Sequence, residues 1–379
     1  MKKLSYLPIF ALLLSCGSNA DHVSKTDFSN ITFAMDTVMV DAGDDIINLK
    51  NSLWMAGVNP STTHLYNWDQ DNGLLEKIDL DRLVLEKKLP FEKEGPNGVG
   101  SYVGWMYLTE EDQIVFSNFQ DMGLFDFNGE KIRSYKLRGE KFEGDSLLDN
   151  ENFTRKSIFS QGGNEIYGVL GNWTGNSFTL AKIDFPTKTL KKYPLPAYDK
   201  LAEYSVVLKS ADMIMIIAAE QAVDKIENKV ILSNSVFNSL IVYDISSDSV
   251  YTVNYPTSLT KNSKTGKYRN EVDTDAEFKK IMNEMNQEIN FAKPFWDSQN
   301  QRYYRFSYET LPQETLEDGI ARSKSKVYLT ILDRDFQVLG ETLVNELTSP
   351  PGLHFVKDGK IWIYKNIDDE LAFVRLTIL

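Results

Sequence analysis

The chain has 379 residues, a single cysteine and a formal net charge of −13. One cysteine excludes an internal disulfide framework, so stability has to come from a large apolar core. An acidic balance of this size argues against a nucleic-acid surface and against a polybasic membrane-binding face.

The chain opens MKKLSYLPIFALLLSC. Lys2 and Lys3 form a basic start, and Leu4 to Leu14 an apolar run of signal-peptide length, too short to span a bilayer. Leu13-Leu14-Ser15-Cys16 fits the lipobox of bacterial lipoprotein signals, with Cys16 as the acylated first residue of the mature chain. The competing reading is an ordinary secretory signal with an incidental cysteine. Stable anchoring needs more than one acyl chain, which a diacylglyceryl cysteine with a further palmitate-type chain supplies. The expected organisation is a signal peptide over 1–15, a lipidated flexible tether over 16–30 and one domain over 31–379. Gly17 rather than Asp at the second mature position favours the outer membrane by the general sorting rule for such lipoproteins.

Beyond the tether, apolar and aromatic runs of five to eight residues alternate with Gly, Asn and Asp turns, the pattern of short strands. The spacing predicts a six-bladed β-propeller, each blade four antiparallel strands. The first blade runs from about Ser52 to Phe91. The second comprises YVGWMYL, QIVFSN, GLFDF and KIRSYKL, with Asn128-Gly129 as a type I′ hairpin signal. The third runs from about Phe153 to Leu195. The fourth takes YSVVLK, DMIMIIAA, SLIVYDI and SVYTVNY as its strands. The fifth begins near Phe291. The third strands end in Asp in EKIDL, LFDF, AKIDF, IVYDI and TILD, each followed by a more polar outer strand. The last blade has three strands, within Leu353–Ile378, and the left-over strand Ile31–Val40 is expected to complete it and close the ring. Seven blades, and a sandwich with Ile31–Val40 as a stray edge strand, are the competing architectures.

One insertion, about 259–290, breaks the rhythm. Asp273–Asn290 reads as a helix capped by Thr274 or Asp275, with Phe278, Ile281, Met282 and Met285 on one stripe. The stripe packs on the propeller or serves as a lid or docking helix.

FEKEGPNGVG (Phe91–Gly100), EINFAKPFWD (Glu288–Asp297) and RYYRFSYE (Arg302–Glu309) carry a resemblance. Through them the chain resembles an uncharacterised family of Bacteroidota lipoproteins, domain of unknown function 4221, over essentially the whole mature chain. The resemblance implies a propeller in the cell envelope and no particular activity.

Catalytic and metal chemistry is hard to find. His22, His64 and His354 have no metal-ligand spacing, no G-x-S-x-G occurs, and no Gly-rich phosphate loop opens a helix. Asp69–Gly73 looks like a Ca²⁺ loop, but Gly73 comes one position early and Leu80 stands where Glu is needed. No catalytic residue, metal or cofactor is assigned. The Glu94–Gly100 crossover, with three glycines, is either the tight connection every blade needs or the lip of a binding face. On that face the reading places Asn97, Gly98, Asp121, Asn172, Trp173, Asn290, Trp296, Asp297, Arg302, Arg305 and Glu309. Aromatics beside arginine suit sugar rings or peptide carboxylates, and equally blade-to-blade packing. The expected function is a non-catalytic binding or scaffolding module on the envelope. Its partners would be the membrane through Cys16 and an envelope protein, peptide or glycan. The rival is a propeller hydrolase or lyase with carboxylates in a central channel.

Overall fold

The computed structural model describes residue 28 and residues 30–379, apart from 111, 119–120, 154–156, 173–176, 210–213, 313 and 316–320. The signal segment, Cys16, His22 and most of the tether lie outside the described residues. Nothing in the described part is a helix long and apolar enough to cross a membrane.

Six antiparallel sheets with a four-strand meander follow one another among the described residues. The first contains Ala56–Val58, His64–Asp69, Leu74–Asp79 and Val84–Pro90. The second contains Trp105–Leu108, Ile114–Ser117, Met122–Phe125 and Lys131–Tyr135. In the third, Glu151–Phe153 and Ile158–Ser160 share the innermost position beside Glu165–Asn172, then Phe178–Asp184 and Thr189–Pro194 follow. The fifth divides its innermost position likewise between Asn290–Phe291 and Phe295–Asp297, ahead of Arg302–Thr310, Ser325–Leu332 and Val338–Leu343. The sixth is His354–Lys357, Lys360–Ile367 and Glu370–Ile378, with Phe33–Met39 as its outer strand. Phe33 stands opposite Ile378 and Met39 opposite Ala372, as the complementarity of the two ends predicts. The fold is a β-propeller.

Alternation explains why the central strands are apolar on both faces. Successive side chains point to opposite sides of a sheet. Leu65 packs with Phe355, Trp362 and Phe373 of the sixth sheet, while Tyr66 and Trp68 pack with Met106, Phe116 and Phe125 of the second. Ile114 and Phe116 face the first sheet, and Val115 faces Phe159 and Ile166 of the third. Tyr167 meets Val230, Leu232 and Tyr243 of the fourth sheet, whose Ile231 turns to Tyr303 and Leu332 of the fifth. Phe306 and Ile331 of the fifth meet Ile361 and Ile363 of the sixth. Six apolar clusters thus each bridge two consecutive sheets, and one of them joins the last sheet to the first. Strands buried on both faces read as continuous apolar runs rather than alternating ones.

The recurring aspartates end the third strands as turn caps. Their Oδ1 atoms accept backbone N–H groups two to four residues on: Asp79 from Asp81 and Arg82, Asp126 from Asn128 and Glu130, Asp184 from Thr187, Asp244 from Ser247, Asp333 from Asp335 and Gln337. The sixth sheet takes its outer strand from Phe33–Met39, so no hairpin follows its third strand.

Two expectations are corrected. The fourth sheet is Gln221–Ile226, Lys229–Asn234, Leu240–Asp244 and Ser249–Val253. Val206–Lys209 and Ile214–Ile217 instead form a separate antiparallel pair, extended by Glu271–Val272. Ile214–Ile217 is the more apolar segment, but the tight turn at Glu227-Asn228, with Glu227 at φ 53°, pairs the polar-looking Gln221–Ile226 with Lys229–Asn234. The turn at Asn128-Gly129 is not type I′: Gly129 alone has positive φ (85°), and a bulge at Leu124/Phe125 takes up the difference.

The helix α1 spans Asp275–Gln287, and the Thr274 hydroxyl accepts the Glu277 N–H at its start. Phe278, Ile281 and Met285 are buried with Val206, Leu208 and Val272, so the stripe faces the core. The 3-10 helix Pro196–Tyr204 beside it has no counterpart in the sequence reading.

Candidate functional site

The Glu94–Gly100 loop is built by its own backbone. Gly98 N–H donates to Gly95 O, Val99 N–H to Glu92 O and Gly100 N–H to Lys93 O. A Cβ on Gly98 would lie 2.8 Å from the Lys93 carbonyl oxygen, so the close turn needs glycine there. Asn97 Oδ1 accepts the Lys131 N–H at 3.1 Å, and Lys131 Nζ donates to Gly98 O at 2.6 Å while lying over the Phe125 ring. The loop is therefore clamped to the outer strand Lys131–Tyr135 of the second sheet.

Two open clefts adjoin that strand. One, of about 270 Å³, is lined by Gly98, Gly100, Asn118, Asp121, Lys131 and Lys136 among others. Asp121 N–H donates to Asn118 Oδ1 at 2.7 Å on its wall. The structure thus brings Asn97, Gly98 and Asp121 together. The other cleft, of about 340 Å³, lies between the same strand and the turn beginning at Phe185, with Arg133, Tyr135, Lys136, Glu140, Phe142 and Lys188 among its walls. Arg133, Phe185 and Lys188 do not figure among the residues expected from sequence. The available signal was three cations, Lys131, Arg133 and Lys136, within six residues of an acidic chain.

The remaining expected residues lie elsewhere, on the fifth sheet. Arg305 is buried, 2% exposed. Its guanidinium donates to the carbonyls of Ala292, Asn238 and Asn234 and to the Tyr255 hydroxyl, and it stacks over Phe291. Asp297 is also buried: its carboxylate accepts from the N–H groups of Gln299 and Asn300, the Asn300 side chain and the Tyr304 hydroxyl. Both are spent on the fold, and neither is free to face a ligand. Asn290 is buried as well and accepts from Lys264 Nζ at 2.8 Å. Burial lowers the Lys264 ammonium to about 8. Trp296 packs against Tyr303, with Arg334 over it. Arg302 lies over Phe28, and Glu309 stands opposite Lys326 in the ladder. The strand Glu165–Asn172 ends at Asn172, while the Asn172 side chain and Trp173 fall outside the described residues.

The histidines behave differently from one another. His354 is wedged against Phe295 and Phe306 and donates from Nδ1 to Gly352 O, and burial lowers it to about 4. It stays neutral. His64, Asp79 and Glu86 come from three adjacent strands, and their ligating atoms lie within 4.8 Å of one another, a grouping that linear spacing hides. Glu86 is engaged by Lys77 (3.1 Å) and His64 (3.1 Å), Asp79 by Arg82 (2.7 Å), and His64 Nδ1 by the Thr63 hydroxyl (3.0 Å). The carboxylates are thus balanced by cations already present, which is the arrangement of an ion cluster.

Comparison with known proteins agrees with this architecture. Residues 29–343 match the family described as "Domain of unknown function (DUF4221)". The chain belongs to the DUF4221 family. The matched span takes in both clefts and ends before the last three strands. A crystal structure of a DUF4221 member from Bacteroides vulgatus is similar to it, with a TM-score of 0.63 at 15% identity, covering 92% of this chain and 98% of that one. A Bacteroides fragilis protein named for its expected export is similar at a TM-score of 0.50 and 8% identity, covering 93% and 96%. At these identities the likeness shows the fold alone. No curated protein matches the chain.

Proposed function

We propose that this DUF4221 protein is an envelope lipoprotein, anchored through Cys16, whose closed six-bladed ring serves as a non-catalytic binding module. The observation that carries the binding reading is the pair of adjoining clefts along Lys131–Tyr135. Their combined extent is in the range of small-ligand sites. Part of their walls, the Glu94–Gly100 backbone with Lys131 and Arg133, is already held by hydrogen bonds, which lowers the ordering cost of binding. The six-bladed closure is supported by the six inter-sheet clusters and by the strand pairing of Phe33–Met39 with Glu370–Ile378. The anchor reading is supported by the lipobox at Leu13–Cys16 and by the family's occurrence in Bacteroides. By the sorting rule at Gly17 the destination is the outer membrane.

The test uses the chain lacking residues 1–16, purified from periplasm. Metal content is assayed, and thermal shifts are recorded against divalent ions, sugars and peptides. The full-length chain is also expressed with radiolabelled palmitate and fractionated. The reading expects a label that Cys16→Ala abolishes, no stoichiometric metal, and a shift with a small ligand or co-purification of an envelope partner. A stoichiometric metal, or turnover of any probe, would replace the binding module with the enzyme.

A further inference from the structure

We propose that the cleft between the Lys131–Tyr135 strand and the turn beginning at Phe185 binds a ring-shaped carboxylate, of the hexuronic-acid or aryl-carboxylate kind. This rests on the binding-module reading and names the chemistry of its outer cleft.

The walls supply two complementary surfaces. Tyr135, Phe142, Phe185 and Pro186 give an apolar and aromatic side. The Phe185 and Tyr135 rings lie 4.7 Å apart, tilted by 46°, so each holds the other in place. The Tyr135 ring is itself buried, and its hydroxyl donates to Gly163 O at 2.8 Å, so it is a fixed floor that backs the part-exposed Phe185 ring. Flat aromatic faces suit the C–H face of a sugar or another ring. The charged lining is mostly cationic: Arg133, Lys136 and Lys188 stand beside one carboxylate among the lining residues, Glu140, 3.6 Å from Lys188.

Arg133 is the anchor. Its Nη1 donates to Gly163 O at 3.1 Å and Asn164 Oδ1 at 2.9 Å, and the guanidinium lies over the Tyr135 ring. Those contacts hold the planar fork by one nitrogen and leave the rest of it for a carboxylate, which guanidinium binds in matched geometry. Among the described residues Arg133 and Lys136 have no carboxylate partner. In a chain with a net charge of −13 an uncompensated cation pair beside an aromatic wall is a local departure from the molecule's own field.

The experiment titrates the soluble chain by calorimetry with digalacturonate, with benzoate and with uncharged cellobiose. Digalacturonate is expected to bind and cellobiose not. Lys136→Ala with Lys188→Ala removes two exposed cations and should weaken binding about ten-fold or more, with the thermal midpoint unchanged. Arg133→Gln, which keeps amide donors toward Gly163, should weaken it likewise. Rising salt should weaken binding of the unmodified protein. Benzoate binding with the same sensitivities, and no digalacturonate binding, assigns the aryl-carboxylate source. Equal binding of cellobiose, indifference to both variants, or no binding by any probe overturns the proposal. If cellobiose binds and Asp121→Ala abolishes that binding, the binding-module reading stands and this inference falls. If no probe binds, this inference falls, and the underlying reading is judged by envelope co-purification.

Discussion

Arg305 and Asp297 show how a residue's chemistry depends on what lies behind the sheet. Period-2 alternation correctly puts Arg305 on the side of Tyr303 and away from Tyr304: Tyr303 packs toward the fourth sheet and Tyr304 toward the sixth. It does not reveal that both sides are covered. In a propeller every central strand is sandwiched, so an arginine there becomes an internal tie between sheets. Arg305 holds Asn234 and Asn238 of the fourth sheet's connection to Ala292 of the fifth. Replacing Arg305 with Ala would strand three buried carbonyls and the Tyr255 hydroxyl. Each orphaned acceptor costs about 1–3 kcal/mol, so with four of them the expected loss is about 4 kcal/mol or more in urea unfolding. A loss below about 1 kcal/mol would mean water replaces the guanidinium and the tie is dispensable.

At the scale of the element, the legible features were those in which sequence and local geometry share one cause. The aspartates closing EKIDL, LFDF, AKIDF, IVYDI and TILD repeat because the hairpin that follows has amides to be satisfied. The helix was legible because Thr274 and the Phe278–Met285 stripe obey one period. The fourth sheet was not, because hydrophobicity ranked Ile214–Ile217 above Gln221–Ile226 while turn geometry decided the pairing. Of the candidate site, the Glu94–Gly100 loop was legible through its glycines, but Phe185 and Lys188 come from the next sheet and could be joined to Arg133 only in space. The turn caps also carry a pH dependence. The Arg82 amide, helped by the Arg82 guanidinium and the Asp81 amide, draws Asp79 down to about 2. The Thr187 hydroxyl and amide lower Asp184, and the Ser247 amide lowers Asp244. In the unfolded chain each carboxyl returns to about 3.9. Their contribution is present above that value and disappears as pH falls through it toward 2. The thermal midpoint should therefore drop between pH 5 and pH 2. Asp79→Asn combined with Asp184→Asn should flatten that slope while lowering the midpoint at pH 7; an unchanged slope would place the acid sensitivity elsewhere.

For the whole molecule, the decisive join is the sixth sheet. Asp36 on the N-terminal strand meets Arg375 through two contacts, 2.6 and 2.9 Å, and Arg375 lies over Trp362. Phe28, Ile31 and Phe33 pack beside the cluster between the fifth and sixth sheets. Deleting residues 28–39 bares the edge of Glu370–Ile378 and removes these apolar contacts. The expected outcome is a thermal midpoint lower by about 10 °C or more, or failure to fold, with Asp36→Arg giving a milder loss of about 1 kcal/mol by calorimetry. A deletion variant as stable as the parent would show that the sheet is complete without the strand. The pairing of Phe33–Met39 with Glu370–Ile378 was legible at this scale because a surplus strand at one end matched a deficit at the other. The join also sets the order of events in folding. Asp36 and Arg375 are 339 positions apart, and closing a loop of that length costs about 5 kcal/mol in chain entropy. The first described strand must wait for the last. While it waits, the bare Glu370–Ile378 edge cannot distinguish its own chain's Phe33–Met39 from that of a neighbour, so crowded refolding favours strand-exchanged dimers over monomers.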